Sequence, residues 1–503
     1  MSKPSTKAQT PRKSSNGTLD FYTLKRDENG KVKTIQIYYL SYTEFLNNLG
    51  FRRFDIESGF MFIHIQNFVI EKKEIHHIQD HVINIIQKTP DEDFETDREK
   101  RMLLETLYKG VTFYFNDKRF SLLPNCNELP FNSDTKTSSY VYYQNGYVEI
   151  TKDGYRLKPY DQLIKHIWKS QILNRNFKQL DLKIDDTTVD QAGMYVKFIF
   201  NICNKDAERF LCLTTILGYV MHDFYDTKLK CVVLTDSLIS ENPNGRTGKT
   251  LLGKGLGKIR NYSEIPGKDF DTSDKFKYQE VNIDTQIVHI NDAKKYFDIE
   301  TLFNDISENI TIEKKNKQSF KKQVKMMLSS NQTVKIDGDS AKDRVVEFEL
   351  YNYYSKTFSP YIEFGKWFFS TDWNDLDWTQ FDNFMIMCIQ NYLKYGLKEA
   401  KGINLDARKL LDRTNMEFMT WMNEKWESKE IKPNITYDKK VMHENFLEQN
   451  PDFKDDKRLK QQREFTKYLR YFAEFTPEIK NIEETKSNGN AYVCFKTGDN
   501  DLL

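Results

Sequence analysis

Seven consecutive residues, Asn244, Gly245, Arg246, Thr247, Gly248, Lys249 and Thr250, bring together what a phosphate-binding loop needs. Small residues let successive backbone N–H groups turn toward a β-phosphate, Lys249 adds a mobile positive charge, and the Thr250 hydroxyl can ligate Mg²⁺. The apolar run Cys231, Val232, Val233 and Leu234 precedes the loop, and Leu251 and Leu252 follow it. In this strand, loop and helix context the helix N-terminus adds its own positive end to an anion site. The expected ligands are ATP and Mg²⁺. Pro243 stands where the pattern G-x-x-x-x-G-K-[ST] has its first glycine, which leaves Gly245 to supply flexibility. A glycine-rich surface turn is the competing reading.

Two further apolar runs end in residues that such a site uses. Ile287, Val288 and Ile290 lead to Asn291 and Asp292, and Val324, Met326, Met327 and Leu328 lead to Ser330 and Asn331. Parallel sheets present functional residues at strand ends of this kind. A nucleotide-hydrolysing site needs a carboxylate there for the Mg²⁺ shell or the attacking water, and a polar side chain that senses the γ-phosphate. Asp292, with Asn291 beside it, and Asn331 fit those roles. Arg344 follows a Gly338-Asp339-Ser340 turn and opens the alternating run Val345, Val346, Phe348 and Leu350, a position suited to an arginine finger acting across a subunit boundary. Between the second and third strands, Ile310 and Ile312 alternate into a polar tip where Lys314, Lys315 and Lys317 could meet a phosphate backbone.

These residues need a scaffold, and the chain is long enough for several units. At 503 residues it should hold roughly three or four domains of ordinary size. Charged residues make up 30% and hydrophobic ones 39%, with no apolar run near the roughly 18 residues of a membrane span, so a membrane protein is not expected. The six cysteines are scattered without a C-x-x-C pair, which favours a reducing cytoplasm over a disulfide framework or a zinc ribbon. Net charge is only +1, so nucleic-acid binding must come from local patches. The expected fold is multidomain α/β: a disordered basic tail (1–18), an α+β domain (19–165), a helical domain (166–228), a P-loop core with a parallel sheet (229–355), a helical aromatic-rich segment (356–425) and a winged helix (426–503). The last rests on Phe465, Leu469 and Phe472 forming one helix face, Arg463, Lys467 and Arg470 another, and a hairpin turning at Asn488-Gly489.

The order of these motifs, the Walker A loop at 243–250, the acid after Ile290, the lysine loop, the strand ending at Asn331 and Arg344, resembles the superfamily 3 helicases. More closely, the chain is similar to the phage and large-DNA-virus primase-helicases. The run Gln144 to Ile150, followed by Leu157-Lys158-Pro159-Tyr160-Asp161, matches a short segment upstream of their P-loop, and Phe297 to Leu350 is the most specific match. The resemblance covers roughly residues 140 to 400 and implies an AAA+ ATPase that forms a ring, usually a hexamer, and threads one DNA strand through its channel. It assigns Lys249 and Thr250 to nucleotide and Mg²⁺, Asp292 to Walker B, Asn331 to sensor 1, Arg344 to the finger, and Lys314 or Lys315 to the channel. It also implies single-stranded and duplex DNA, a primase, a polymerase or other replication proteins as partners, and a bacterial host cytoplasm. Two departures stand out: Asn291 replaces the first Walker B acid, and Asp343 precedes Arg344 where a second arginine is common. A non-hydrolysing nucleotide-binding scaffold for DNA or origin recognition is the alternative. A primase centre would need clustered carboxylates, for which Asp55 and Glu57 with His64 are the only N-terminal constellation.

Overall fold

The structure, a computed structural model, describes residues 19–498 apart from 57–58, 183, 185–187, 227, 241–246, 295–296, 316–318, 333, 335, 337–338, 457–458 and 488. The basic tail, Glu57, Pro243 to Arg246 (with Asn244 and Gly245), Lys317, Gly338 and Asn488 therefore lie outside the described residues.

A five-stranded sheet, wholly parallel, forms the centre. Its strands lie side by side in the order Tyr262–Pro266, Ile287–Asn291, Lys325–Ser329, Cys231–Asp236, Val345–Leu350. The near-continuous apolar runs follow from burial on both faces. Side chains alternate across a strand, so Val232, Leu234, Met327 and Phe348 enter one core, whereas Cys231, Val233, Val288, Ile290 and Leu328 enter the other.

The first core is a helical layer. Helices Met194–Ile202, Ala207–Met221 and Asp375–Tyr395 supply Phe198, Ile199, Leu213, Leu217, Phe381, Phe384 and Ile389. Helices Ala207–Met221 and Asp375–Tyr395 approach so closely that a Cβ on Gly218 would lie 2.0 Å from the Cys388 carbonyl oxygen. The aromatic-rich segment thus divides: Trp373 and Phe381 are buried in this layer, while residues 405–427 turn to the C-terminal core.

Upstream, helix Ile75–Lys88 buries Ile78, Val82 and Ile86, spaced four apart on one face, against Phe21, Tyr42, Phe45 and Leu103. Beside it a meander of Phe51–Ile56, Gly59–Gln66 and Val69–Lys73 is extended by Ile167–Trp168. A second meander, Ser138–Tyr143, Gly146–Thr151 and Gly154–Lys158, makes its first turn at Gln144-Asn145. The meander register takes the primase constellation apart. Phe51 pairs with His64 and Asp55 with Phe60, so Asp55 and His64 sit four strand positions apart, roughly 13 Å. Asp55 is held by Arg53 Nε at 3.0 Å, and His64 Nε2 lies 2.9 Å from the Leu49 carbonyl.

The C-terminal core joins helices Leu405–Arg413, Met416–Glu427, Lys439–Gln449 and Gln462–Phe475 to a three-stranded sheet. Strand Thr436–Asp438 pairs with Asn490–Lys496, which pairs in turn with Asn481–Ser487. Among the described residues no helix is long and apolar enough to cross a membrane.

Candidate functional site

Where strand Cys231–Asp236 ends, helix Lys249–Leu256 begins, with Gly248 at its N-cap and a backbone φ of +107°. Glycine suits this point twice: the left-handed conformation disfavours a side chain, and a Cβ would lie 2.6 Å from the Phe198 ring. Lys249 is consequently buried at the head of the helix, with Thr250 exposed beside it.

The strand order brings residues far apart in sequence to this point. Lys249 Nζ donates to Asn331 Oδ1 at 2.8 Å, and Asn331 Nδ2 donates to Asp292 Oδ1 at 3.0 Å. Asn331 therefore bridges the lysine and the acid, because its strand lies between theirs. The other Asp292 oxygen pairs with Lys268 at 3.0 Å. Asp292 has a backbone φ of +62°, a left-handed turn that aspartate tolerates better than most residues.

Asp236 was not anticipated, although it closes the apolar run directly before the loop. It is buried, forms an ion pair with Lys249 and accepts from the Thr247 hydroxyl. Burial lowers the proton affinity of Lys249, and Asp236 works against that shift. A buried ammonium needs such a partner, and phosphate oxygens are a chemically equivalent one.

A second unanticipated group ties the C-terminal core to the same strand end. Glu349, on the outer strand, accepts from the Ile403 and Asn404 amides at 2.6 and 3.0 Å, and pairs with Arg408 at 3.2 Å; both side chains are buried. Asn404 Nδ2 donates to the Ser237 carbonyl at 2.8 Å. Arg408 is close enough to oppose protonation of Lys249.

Asn291 turns aside from this cluster. Its Oδ1 accepts from Ser329 Oγ at 2.7 Å, and its Nδ2 donates to Glu264 Oε1 at 2.7 Å, so both ends of the amide are engaged along the sheet. Ser329 also contacts His289 Nε2 at 3.0 Å, and His289 Nδ1 meets the Tyr262 hydroxyl at 2.6 Å. Complete burial pushes the His289 proton affinity down to a pKa of about 3, so the ring is neutral.

Other expected residues lie elsewhere. Arg344 does not open a strand: it ends the short helix Asp339–Arg344, donates to Ser307 Oγ at 3.2 Å and lies over the Phe303 ring. The parallel register Cys231↔Val345 to Asp236↔Leu350 puts it at the opposite end of the sheet from Lys249, roughly 20 Å away. Strands Ile310–Ile312 and Phe320–Lys322 pair antiparallel, and after the first of them Lys314 donates to Asn282 Oδ1 at 2.9 Å and Lys315 is exposed. In helix Gln462–Phe475, Lys467 pairs with Glu464 at 2.7 Å, Arg470 pairs with Glu484 at 2.5 Å, and Arg463 is exposed.

Residues 242–344 match the model of a family described as "Family of unknown function (DUF5906)". No curated protein matches. Among solved structures, the chain is similar to the A-form apo structure of the NrS-1 C-terminal region, at 14% identity over 91% of this chain and 99% of that one, with a TM-score of 0.37. Another apo structure of the same region, residues 305–718, matches at 14% identity over 92% and 99%, with a TM-score of 0.39. Similarity of that size carries no argument about function.

Proposed function

We propose that this protein is an ATP-dependent DNA helicase of the phage or mobile-element primase-helicase type, a ring-forming AAA+ motor that translocates on single-stranded DNA. The observation that carries the reading is the bridge from Lys249 through Asn331 to Asp292, made at the carboxyl ends of three parallel strands. Lys249 and the amides at the head of its helix would hold the β- and γ-phosphates, and Thr250 the Mg²⁺ that neutralises them. Asp292 would orient the attacking water, with Asn331 linking it to the γ-phosphate. Thr247 and Asp236 hold the lysine ready before nucleotide arrives.

The position of Arg344 suits a finger that serves a neighbouring subunit, since it is remote from the Lys249 of its own chain. In a ring, hydrolysis at such a boundary would move the hairpin carrying Lys314 and Lys315, which bind phosphates without reading bases. The helix, strand, helix, helix and hairpin order of the C-terminal core suits a winged helix, with Arg463, Lys467 and Arg470 on the helix that would meet duplex DNA. A hexamer and contacts with a primase or polymerase belong to the same reading.

One observation favours a second reading, a nucleotide-binding scaffold for DNA or origin recognition that does not hydrolyse. The first Walker B position offers an amide already engaged by Ser329 and Glu264, and so no carboxylate for Mg²⁺.

Steady-state ATP hydrolysis with and without single-stranded DNA separates the two. The motor reading expects DNA-stimulated turnover that disappears in Lys249→Ala. ATP binding without turnover, even with DNA, supports the scaffold and makes Asn291→Asp the informative variant.

A further inference from the structure

We infer that Tyr262, His289 and Ser329 are positioning residues for Asp292, acting through one hydrogen-bonded file that crosses three strands of the sheet. The inference rests on the reading that Asp292 serves the nucleotide site.

The direction of every bond in the file follows from its end at Glu264. A carboxylate only accepts, so the Asn291 amide turns its Nδ2–H to Glu264. The remaining polar atom of that amide, Oδ1, is an acceptor, so the Ser329 hydroxyl must donate to it. Ser329 has then used its single proton, and its other two contacts must donate to Oγ: the Asp292 backbone N–H at 3.2 Å and His289 Nε2–H at 3.0 Å. His289 is fully buried and both its ring nitrogens meet hydroxyls, which leaves the ring neutral and its Nδ1 an acceptor. The Tyr262 hydroxyl, which also lies beside Glu264, fills that acceptor with its single proton. Four side-chain bonds thus run head to tail from Tyr262 to Glu264, an arrangement in which each bond polarises the next.

Two features link the file to the site. Ser329 holds the amide of Asp292, the residue whose left-handed turn aims its carboxylate at Asn331. At the other end, Gly253 of the helix that starts at Lys249 lies directly over the Tyr262–His289 bond; a Cβ there would be 2.6 Å from the hydroxyl and 2.7 Å from Nδ1. The lysine helix and the Asp292 corner therefore rest on one rigid polar element. Polar side chains in the middle of an apolar sheet cost stability unless fully paired, and here each is paired.

The test uses the full chain, ATP and single-stranded DNA. His289→Leu breaks the file, whereas His289→Gln carries an acceptor and a donor at nearly the imidazole spacing. His289→Leu should lower kcat at least about tenfold with KM for ATP changed less than about twofold, and His289→Gln should keep most of the turnover. Equal loss in both variants, or a loss confined to KM, overturns the inference. Tyr262→Phe removes one hydroxyl, keeps the packing and should fall between them; it serves if His289→Leu does not fold.

Hydrogen exchange at the Asp292 amide gives a readout independent of turnover. Exchange should quicken in His289→Leu and Tyr262→Phe but not in His289→Gln, and unchanged exchange in all three overturns the inference. If the intact chain hydrolyses no ATP while this exchange pattern holds, the file stands and the ATPase reading is what fails.

Discussion

The strand ends around Lys249 and the basic face of helix Gln462–Phe475 both looked functional as clusters of charged and polar residues, yet the fold treats them differently. At the strand ends, Asp236 and Lys249 are buried, Asn331 and Asp292 are half-buried, and the four are joined in one run of polar contacts. On the helix, Lys467 and Arg470 are drawn to Glu464 and Glu484, and their partners are surface acids. Convergence in a parallel sheet is a consequence of topology, since strands running the same way end on the same side. A helix face collects charges by spacing alone, and a neighbouring strand can neutralise them.

The largest expected effect breaks the convergent cluster. Lys249→Ala should lower DNA-stimulated ATP turnover at least about a hundredfold in a steady-state assay, because the phosphates lose the charge held at the head of the helix.

Removing the partner tests the same cluster without nucleotide. Asp236→Ala leaves a buried ammonium and should cost about 3 kcal/mol in urea unfolding. Saturating ATP should recover part of that loss in the variant, because phosphate supplies the missing negative charge.

The helix face is sharpened rather than broken. Glu484 is held down to a pKa of about 2, chiefly by Arg470 and also by Lys439. A depressed carboxylate stabilises the fold above its ordinary range near 4 and loses that contribution as pH falls toward 2. Glu484→Gln frees the exposed Arg470, so duplex DNA should bind severalfold more tightly, and the salt dependence of fluorescence anisotropy should steepen by about one phosphate contact.

The smallest effect concerns a cation that belongs to neither region. Lys325 is buried under the Tyr219 ring with its Nζ donating to the Phe224 carbonyl, and burial lowers its pKa to about 8. Below pH 8 both folded and unfolded chains carry that proton and the cost of burying the charge is fully present; it lessens as pH rises toward the ordinary lysine value. Any advantage of Lys325→Met in unfolding free energy should therefore shrink between about pH 8 and 10, as chemical denaturation across that range would record.

Much of the core was legible residue by residue. The apolar runs at 231–234, 287–290 and 324–328 became strands because no alternating pattern suits a sheet buried on both faces, and Asp292 and Asn331 close those runs. Arg344 was misread as a strand opening because a six-residue helix leaves almost no periodic signal. Asp236 and His289 were overlooked for a different reason. An acid ending a strand and a histidine within one look ordinary until their neighbours are known.

Local pattern by itself determined where the buried strands at 231–234, 287–290 and 324–328 fall and which polar residues follow them, because those depend on periodicity and backbone sterics over a few residues. Only the tertiary structure decided that strand Lys325–Ser329 lies between its two partners, so that Asn331 joins Lys249 to Asp292, and that Glu264 faces Asn291 and fixes the direction of a five-residue file. Strand order and hydrogen-bond direction are set by contacts between residues tens of positions apart, and no local propensity encodes them.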